Sequence, residues 1–162
     1  KSSTAEPSTT GTLAVVGDRQ RADLRRSVAV ARITAAVELE PELRVLDHVR
    51  EAALLAHGDF DDRWARETVG STADSATRTA DLPADESVLL SVALALATRP
   101  LALVVDDVDL RASAHQQARI WRALRSVADA GTAVVASTVD ADIAAASGAS
   151  VVRMGEGVDG RD

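Results

Sequence analysis

Asp106 and Asp107 stand side by side at the end of an unbroken apolar run, Leu101-Ala-Leu-Val-Val. Five apolar residues bounded by Pro100 and the two acids predict a buried strand. Two acids at the tip of such a strand cost free energy unless something compensates them, and a bound metal ion is a common compensation. The pair is therefore a candidate metal-nucleotide site. The bland alternative is a strand that ends in solvated aspartates, and the segments on either side decide between the two.

Upstream, Pro83-Ala-Asp85-Glu86 opens a long helix through residue 97, with its acids in the first turn where the helix dipole favours them. Arg99-Pro100 stops that helix and hands the chain to the strand. Downstream, a helix is predicted over 113–130, with Ile120, Leu124, Val127 and Ala128 on one face and Gly131 at its end. A strand over 132–137, a short helix over 141–146 and a strand over 150–154 follow. Strands alternating with helices predict a parallel α/β sheet, whose ligand sites lie beyond the carboxyl ends of the strands. Asp106 and Asp107 occupy one such end, and Ser137 and Thr138 another.

The first half is patterned less strongly. Residues 1–10 are rich in Ser and Thr and read as a flexible segment. Gly11-Thr-Leu-Ala-Val-Val-Gly17 reads as a short strand that pairs, after a charged turn or short helix over 19–26, with a second strand over 28–33 in a hairpin-like unit. A helix over 45–56 places Val45, Leu46, Val49, Ala53 and Leu54 on one face, and Gly58 is expected to end it in the left-handed conformation. Another helix, over 61–69, carries Trp64, and 70–80 is weakly patterned.

Bulk properties bound the function. A chain of 162 residues, 46% apolar, has room for one core of ordinary size. It contains no cysteine, which excludes disulfides and thiolate metal sites and suits a reducing compartment. A formal net charge of −7 argues against nucleic acid as a partner. No apolar run reaches the roughly 18 residues of a membrane span, and no signal-peptide pattern opens the chain, so cytoplasm is the expected address. Starting at Lys1 without an initiator methionine, the chain is expected to be incomplete at its N-terminus.

Taken together, the motifs resemble the ATP-binding cassette (ABC) family of ATPases. Ser87-Val-Leu-Leu-Ser-Val-Ala-Leu-Ala-Leu-Ala-Thr-Arg-Pro100, running into the strand and Asp106-Asp107, is similar to that family's helix after its signature motif and its Walker B strand. Trp121 through Thr138 looks like its next helix and strand, and Leu39-Glu-Pro41-Glu-Leu-Arg-Val45-Leu-Asp-His48 like the start of its helical subdomain. The resemblance implies a P-loop NTPase-like α/β fold, a parallel sheet flanked by helices, with a helical subdomain at about 45–97. It also implies ATP and Mg²⁺ as cofactors, with Asp106 assisting the metal and Asp107 at the place of the water-polarising glutamate. Lys1-Ser2-Ser3-Thr4 matches the end of a P-loop, which would make Lys1, Ser2 and Ser3 cofactor-binding, with Ser2 in the metal shell.

The same comparison exposes departures. Asp107 is one methylene shorter than glutamate, which disfavours water positioning. Leu82-Pro83-Ala84-Asp85-Glu86 stands where the family has its glycine-containing signature, and an acid there would repel phosphate. Val139 fills the switch-histidine place, Arg32 falls near the Q-loop glutamine, and Val108-Asp109-Leu110 replaces a longer loop. The implied function is an ATP-binding subunit of an ABC-type transporter or related membrane complex at the inner face of the cell membrane. Its implied partners are a membrane-embedded subunit and a second nucleotide-binding domain in a homo- or heterodimer. The alternatives are an inactive pseudo-ATPase with a structural or regulatory role, and a soluble DNA-repair or translation ATPase, which the acidic charge disfavours.

Other groups carry less. His48, His57 and His115 lack metal-ligand spacing and read as surface or helix-end residues, Trp64 and Trp121 as packing residues, and Arg25-Arg26 as a solvated pair. A phosphoacceptor receiver domain is excluded because its acidic pair follows the first strand.

Overall fold

A computed structural model describes residues 27–56 and 58–153. The expected strand at 11–17, the charged turn at 19–26, Arg25-Arg26, His57 and the P-loop candidates Lys1, Ser2 and Ser3 lie outside the described residues.

The described chain forms β1 (Val28–Arg32), α1 (Val45–Leu55), α2 (Asp62–Val69), a 3₁₀ turn (Thr79–Asp81), α3 (Ala84–Leu96), β2 (Ala102–Val105), α4 (Ala114–Asp129), β3 (Ala133–Ala136) and α5 (Ala141–Ala146). The three strands form one sheet in the order β1-β2-β3, and both pairings are parallel. Val28 pairs with Ala102 and Ala102 with Ala133, so the strands run level and their carboxyl ends emerge together. The fold is thus α/β, a parallel sheet flanked by helices.

Helix α3 organises the core. Its sequence, ADESVLLSVALAL, is apolar beyond its first turn except for Ser91, and such a helix must be enclosed over most of its surface. Val88, Leu89, Val92, Ala93 and Leu96 are fully buried with Leu103 and Val105 of β2 and Ile120, Leu124 and Val127 of α4. On the opposite side Leu90 joins Val45 of α1 and Ala73 in a smaller cluster. Trp121 is buried, and Trp64 packs under the Arg99 guanidinium, 4.1 Å from the ring centroid, so both tryptophans are packing residues as expected.

Several expectations need correction. In α1 the apolar face is buried at one end only: Val45 and His48 are covered, whereas Leu54 is 86% exposed. His48 is a buried histidine, because its Nε2 lies 3.2 Å from the Glu40 carbonyl oxygen and the chain before α1 wraps over it. The helix ends at Ala56, whose extended backbone (φ −67°, ψ 122°) breaks the spiral before Gly58 is reached. The left-handed glycine cap occurs instead at the end of α2, where Gly70 has φ 68° and its N–H donates to the Arg66 and Glu67 carbonyls. Ala128 is exposed, and Trp121 and Ala123 take its place on the buried face of α4. Residues 150–153 form no strand, and Val152 is 83% exposed.

The burial pattern generates a direct contrast. Leu103→Ala, at a fully buried position, is expected to destabilise by about 3 kcal/mol, and Leu54→Ala by less than about 0.5 kcal/mol. Urea unfolding of both variants checks this, and a larger loss at Leu54 than at Leu103 contradicts the described core.

Candidate functional site

The carboxyl end of β2 is held from both sides. The Asp106 N–H donates to the Arg32 carbonyl of β1 at 3.1 Å, the Ser137 N–H to the Val105 carbonyl at 3.0 Å, and the Val108 N–H to the Ser137 carbonyl at 3.1 Å. This ladder brings the ends of all three strands to Asp106 and Asp107, both half-buried.

Two hydroxyls then orient the acids. Ser137, one residue past β3, donates its Oγ hydrogen to Asp106 Oδ1 and accepts from the Asp107 N–H at 2.8 Å. Thr34 donates to Asp107 Oδ2 at 2.8 Å from the turn that follows β1. That turn is closed by the Ile33–Val37 bridge, with Ala35 at φ 62°. Asp107 itself adopts φ 47°, a left-handed conformation that aspartate tolerates better than most residues, and this kink points consecutive side chains to different strands. Asp106 is drawn toward β3 and Asp107 toward the turn after β1.

Asp109 fixes the neighbouring loop. Its buried Oδ2 accepts from Thr138 Oγ1 at 2.7 Å and from the N–H groups of Val139 and Asp140 at 2.9 and 3.1 Å. Burial pushes this carboxyl up, but the three donors outweigh it and hold it below the usual aspartate range. Asp140 in turn caps α5 by accepting from the Ile143 N–H at 3.1 Å. The Val139 backbone is thereby clamped while its side chain is 91% exposed.

The acids in the first turn of α3 take no part in this cluster. Asp85 and Glu86 are buried, and both receive the Arg119 guanidinium of α4, Asp85 Oδ2 at 2.7 Å. Gln116 adds a bond to Asp85, and Ser71 and Thr72 add bonds to Glu86. Burial pushes both carboxyls up, and hydrogen bonds led by Arg119 reverse that, leaving each below its ordinary range. The Asp85 charge expected to repel a phosphate is paired with Arg119, but one guanidinium serves two carboxylates, so the cluster keeps a net negative charge. Arg32 contributes its carbonyl to the strand end, while its side chain lies 3.8 Å from Glu38 and lines a cavity of about 280 Å³ with Leu82, Ser91 and Arg111.

Asp106 and Asp107 are hard oxygen donors of the kind Mg²⁺ takes, and among the described residues Asp106 Oδ2 and Asp107 Oδ1 accept no hydrogen bond. No group of three His, Cys, Asp or Glu is gathered for a metal among the described residues. The donor set thus fits an ion held mainly by phosphate and water with carboxylate help, rather than an all-protein cage. Sequence reasoning found Asp106, Asp107 and Ser137 as strand-end residues. It missed Thr34 and Arg119, whose partners lie 73 and 34 residues away and have no local signal.

No protein-family model matches the chain, and no curated protein matches it. Solved structures do. The dimeric structure of MJ0796, a bacterial ABC transporter cassette, aligns with a TM-score of 0.59 at 16% identity, covering 76% of this chain and 57% of that one. The same cassette in a post-hydrolysis state bound to ADP and Pi gives 0.57 at 16% identity, covering 78% and 60%. The cbiO1 protein from Clostridium perfringens, part of the ABC transporter complex cbiONQ, gives 0.57 at 16% identity, covering 80% and 55%. This chain spans less than two thirds of each of those chains. The likeness shows the fold alone, one shared with these ABC transporter cassettes.

The Arg119 network yields a prediction with a pH signature. Arg119→Met leaves two buried carboxylates without their cation and is expected to cost about 3 kcal/mol at pH 7. In the wild type both carboxyls titrate below their unfolded values. Their contribution is therefore complete above about pH 5 and is lost as the pH falls below about 4. The gap between variant and wild type should accordingly narrow at low pH. Urea unfolding at pH 7 and pH 3.5 tests this, and an equal gap at both values defeats it.

Proposed function

Proceeding from this cassette fold, we propose that the chain is part of the ATP-binding subunit of an ABC-type transporter or related membrane complex. It binds Mg-ATP and couples that binding to conformational change in a membrane-embedded partner. The observation that carries the reading is the strand end itself: Asp106 and Asp107 project from the carboxyl edge of a parallel sheet, held by residues of both neighbouring strands. Among the described residues no helix is long and apolar enough to cross a membrane. The occupants follow the resemblance. Lys1, Ser2 and Ser3 would end the P-loop, with Ser2 joining Asp106 in the Mg²⁺ shell. Closing against a second nucleotide-binding domain would complete the unit.

Bound Mg²⁺ would neutralise phosphate charge at this edge. Asp106 would help hold the ion, its carboxylate oriented by the Ser137 hydroxyl. Asp107 would orient water, but its Oδ2 is already engaged by Thr34 and its side chain is short, which favours slow turnover. That same contact supports the second reading, a pseudo-ATPase that keeps nucleotide binding and interface but does not hydrolyse.

With full-length protein, Asp106→Asn is expected to weaken Mg-dependent ATP binding by roughly tenfold or more. Asp107→Asn should leave binding within about twofold. Loss of turnover in Asp107→Asn supports the enzyme, and wild-type protein that binds ATP without turnover supports the pseudo-ATPase. Wild-type protein that binds no nucleotide overturns both.

A further inference from the structure

Ser137 makes two bonds to consecutive residues of another strand end, one to a carboxylate and one to a backbone N–H. Its own N–H and carbonyl are engaged at the same end, with Val105 and Val108. A serine fixed through its backbone has few ways to place its hydroxyl, and here the hydroxyl is both donor and acceptor. It donates to Asp106 Oδ1, so that oxygen points at β3 and Oδ2 is the one left to face a ligand. By accepting from the Asp107 N–H, it also stabilises the left-handed kink at φ 47° that turns Asp107 toward Thr34. One hydroxyl thus separates the directions of two adjacent acids that would otherwise repel each other across a short span.

From this geometry we infer that Ser137 is a positioning residue for divalent-metal binding at Asp106, acting through the carboxylate it orients and not by contact with the ion. The inference rests on the Mg-nucleotide reading above and adds to it a residue whose role is specific to the metal. Partners that orient a ligating carboxylate tune metal affinity by large factors, so the effect falls on the cation and spares nucleotide contacts made elsewhere. Threonine carries the same hydroxyl on a β-branched stem that suits a strand end, and it should substitute.

The test uses full-length protein and a fluorescent ATP analogue, titrated with Mg²⁺ present and again in EDTA. Ser137→Ala is expected to lose roughly tenfold in affinity with Mg²⁺ and to match wild type in EDTA, and Ser137→Thr to recover most of the loss. Equal affinities of Ser137→Ala and wild type under both conditions overturn the inference alone. So does an equal loss with and without Mg²⁺, which marks a purely structural role. If Ser137→Ala fails to fold, Ser137→Thr and Ser137→Cys decide: affinity with Mg²⁺ that follows hydrogen-bonding strength, Thr above Cys, supports it, and no difference overturns it. Wild-type protein without nucleotide affinity in either condition removes the Mg-nucleotide reading together with this one.

Discussion

A helix with almost no polar face must be enclosed, and α3 imposes that condition on everything around it. Once Val88, Leu89, Val92 and Leu96 are buried, the sheet, α2 and α4 have to supply the walls, and α1 closes the side at Leu90. Its first turn is the exception, since the two acids there would carry a heavy desolvation cost without Arg119. Arg119 reaches them from α4, the helix that connects β2 to β3. The ion-pair network therefore ties the helix wall to the connection that sets the sheet order. With α3 fixed, β2 emerges at a defined level, and the carboxylates at its tip follow.

Much of this was legible because long apolar segments bounded by breakers leave few choices. The Pro83 and Arg99-Pro100 boundaries framed α3, Gly131 marked the end of α4, and the alternation of strand and helix gave the parallel sheet. Periodicity reports which residues share a face but not whether that face meets anything. This is why Leu54 and Ala128 were placed inward and lie outward. The same limit explains Val151 and Val152, whose β-branched side chains suit a strand but pair with no strand among the described residues.

The candidate site was legible in its acids and not in their partners. Asp106, Asp107 and Ser137 announce themselves by their place at strand ends. Thr34 sits in a turn of ordinary composition, and nothing near it in the chain marks it as the group that holds Asp107. The acid at Asp85 has a partner that local sequence also hides. Read in isolation it is a charge facing a ligand, and only long-range packing reveals that Arg119 has already claimed it.

The parallel register of the sheet also sets the order in which the strand end can assemble. Ser137 and Asp106 are separated by 31 residues, mostly helix α4, and a compact β2-α4-β3 unit can bring them together early. Thr34 and Asp107 are separated by 73 residues, including three helices that must pack before β1 can dock. Closing the longer loop costs about 0.8 kcal/mol more in chain entropy, and the intervening helices add their own delay. Chain entropy therefore opposes the Ser137–Asp106 contact less than the Thr34–Asp107 contact, so the two acids of one strand end are held at unequal entropic cost.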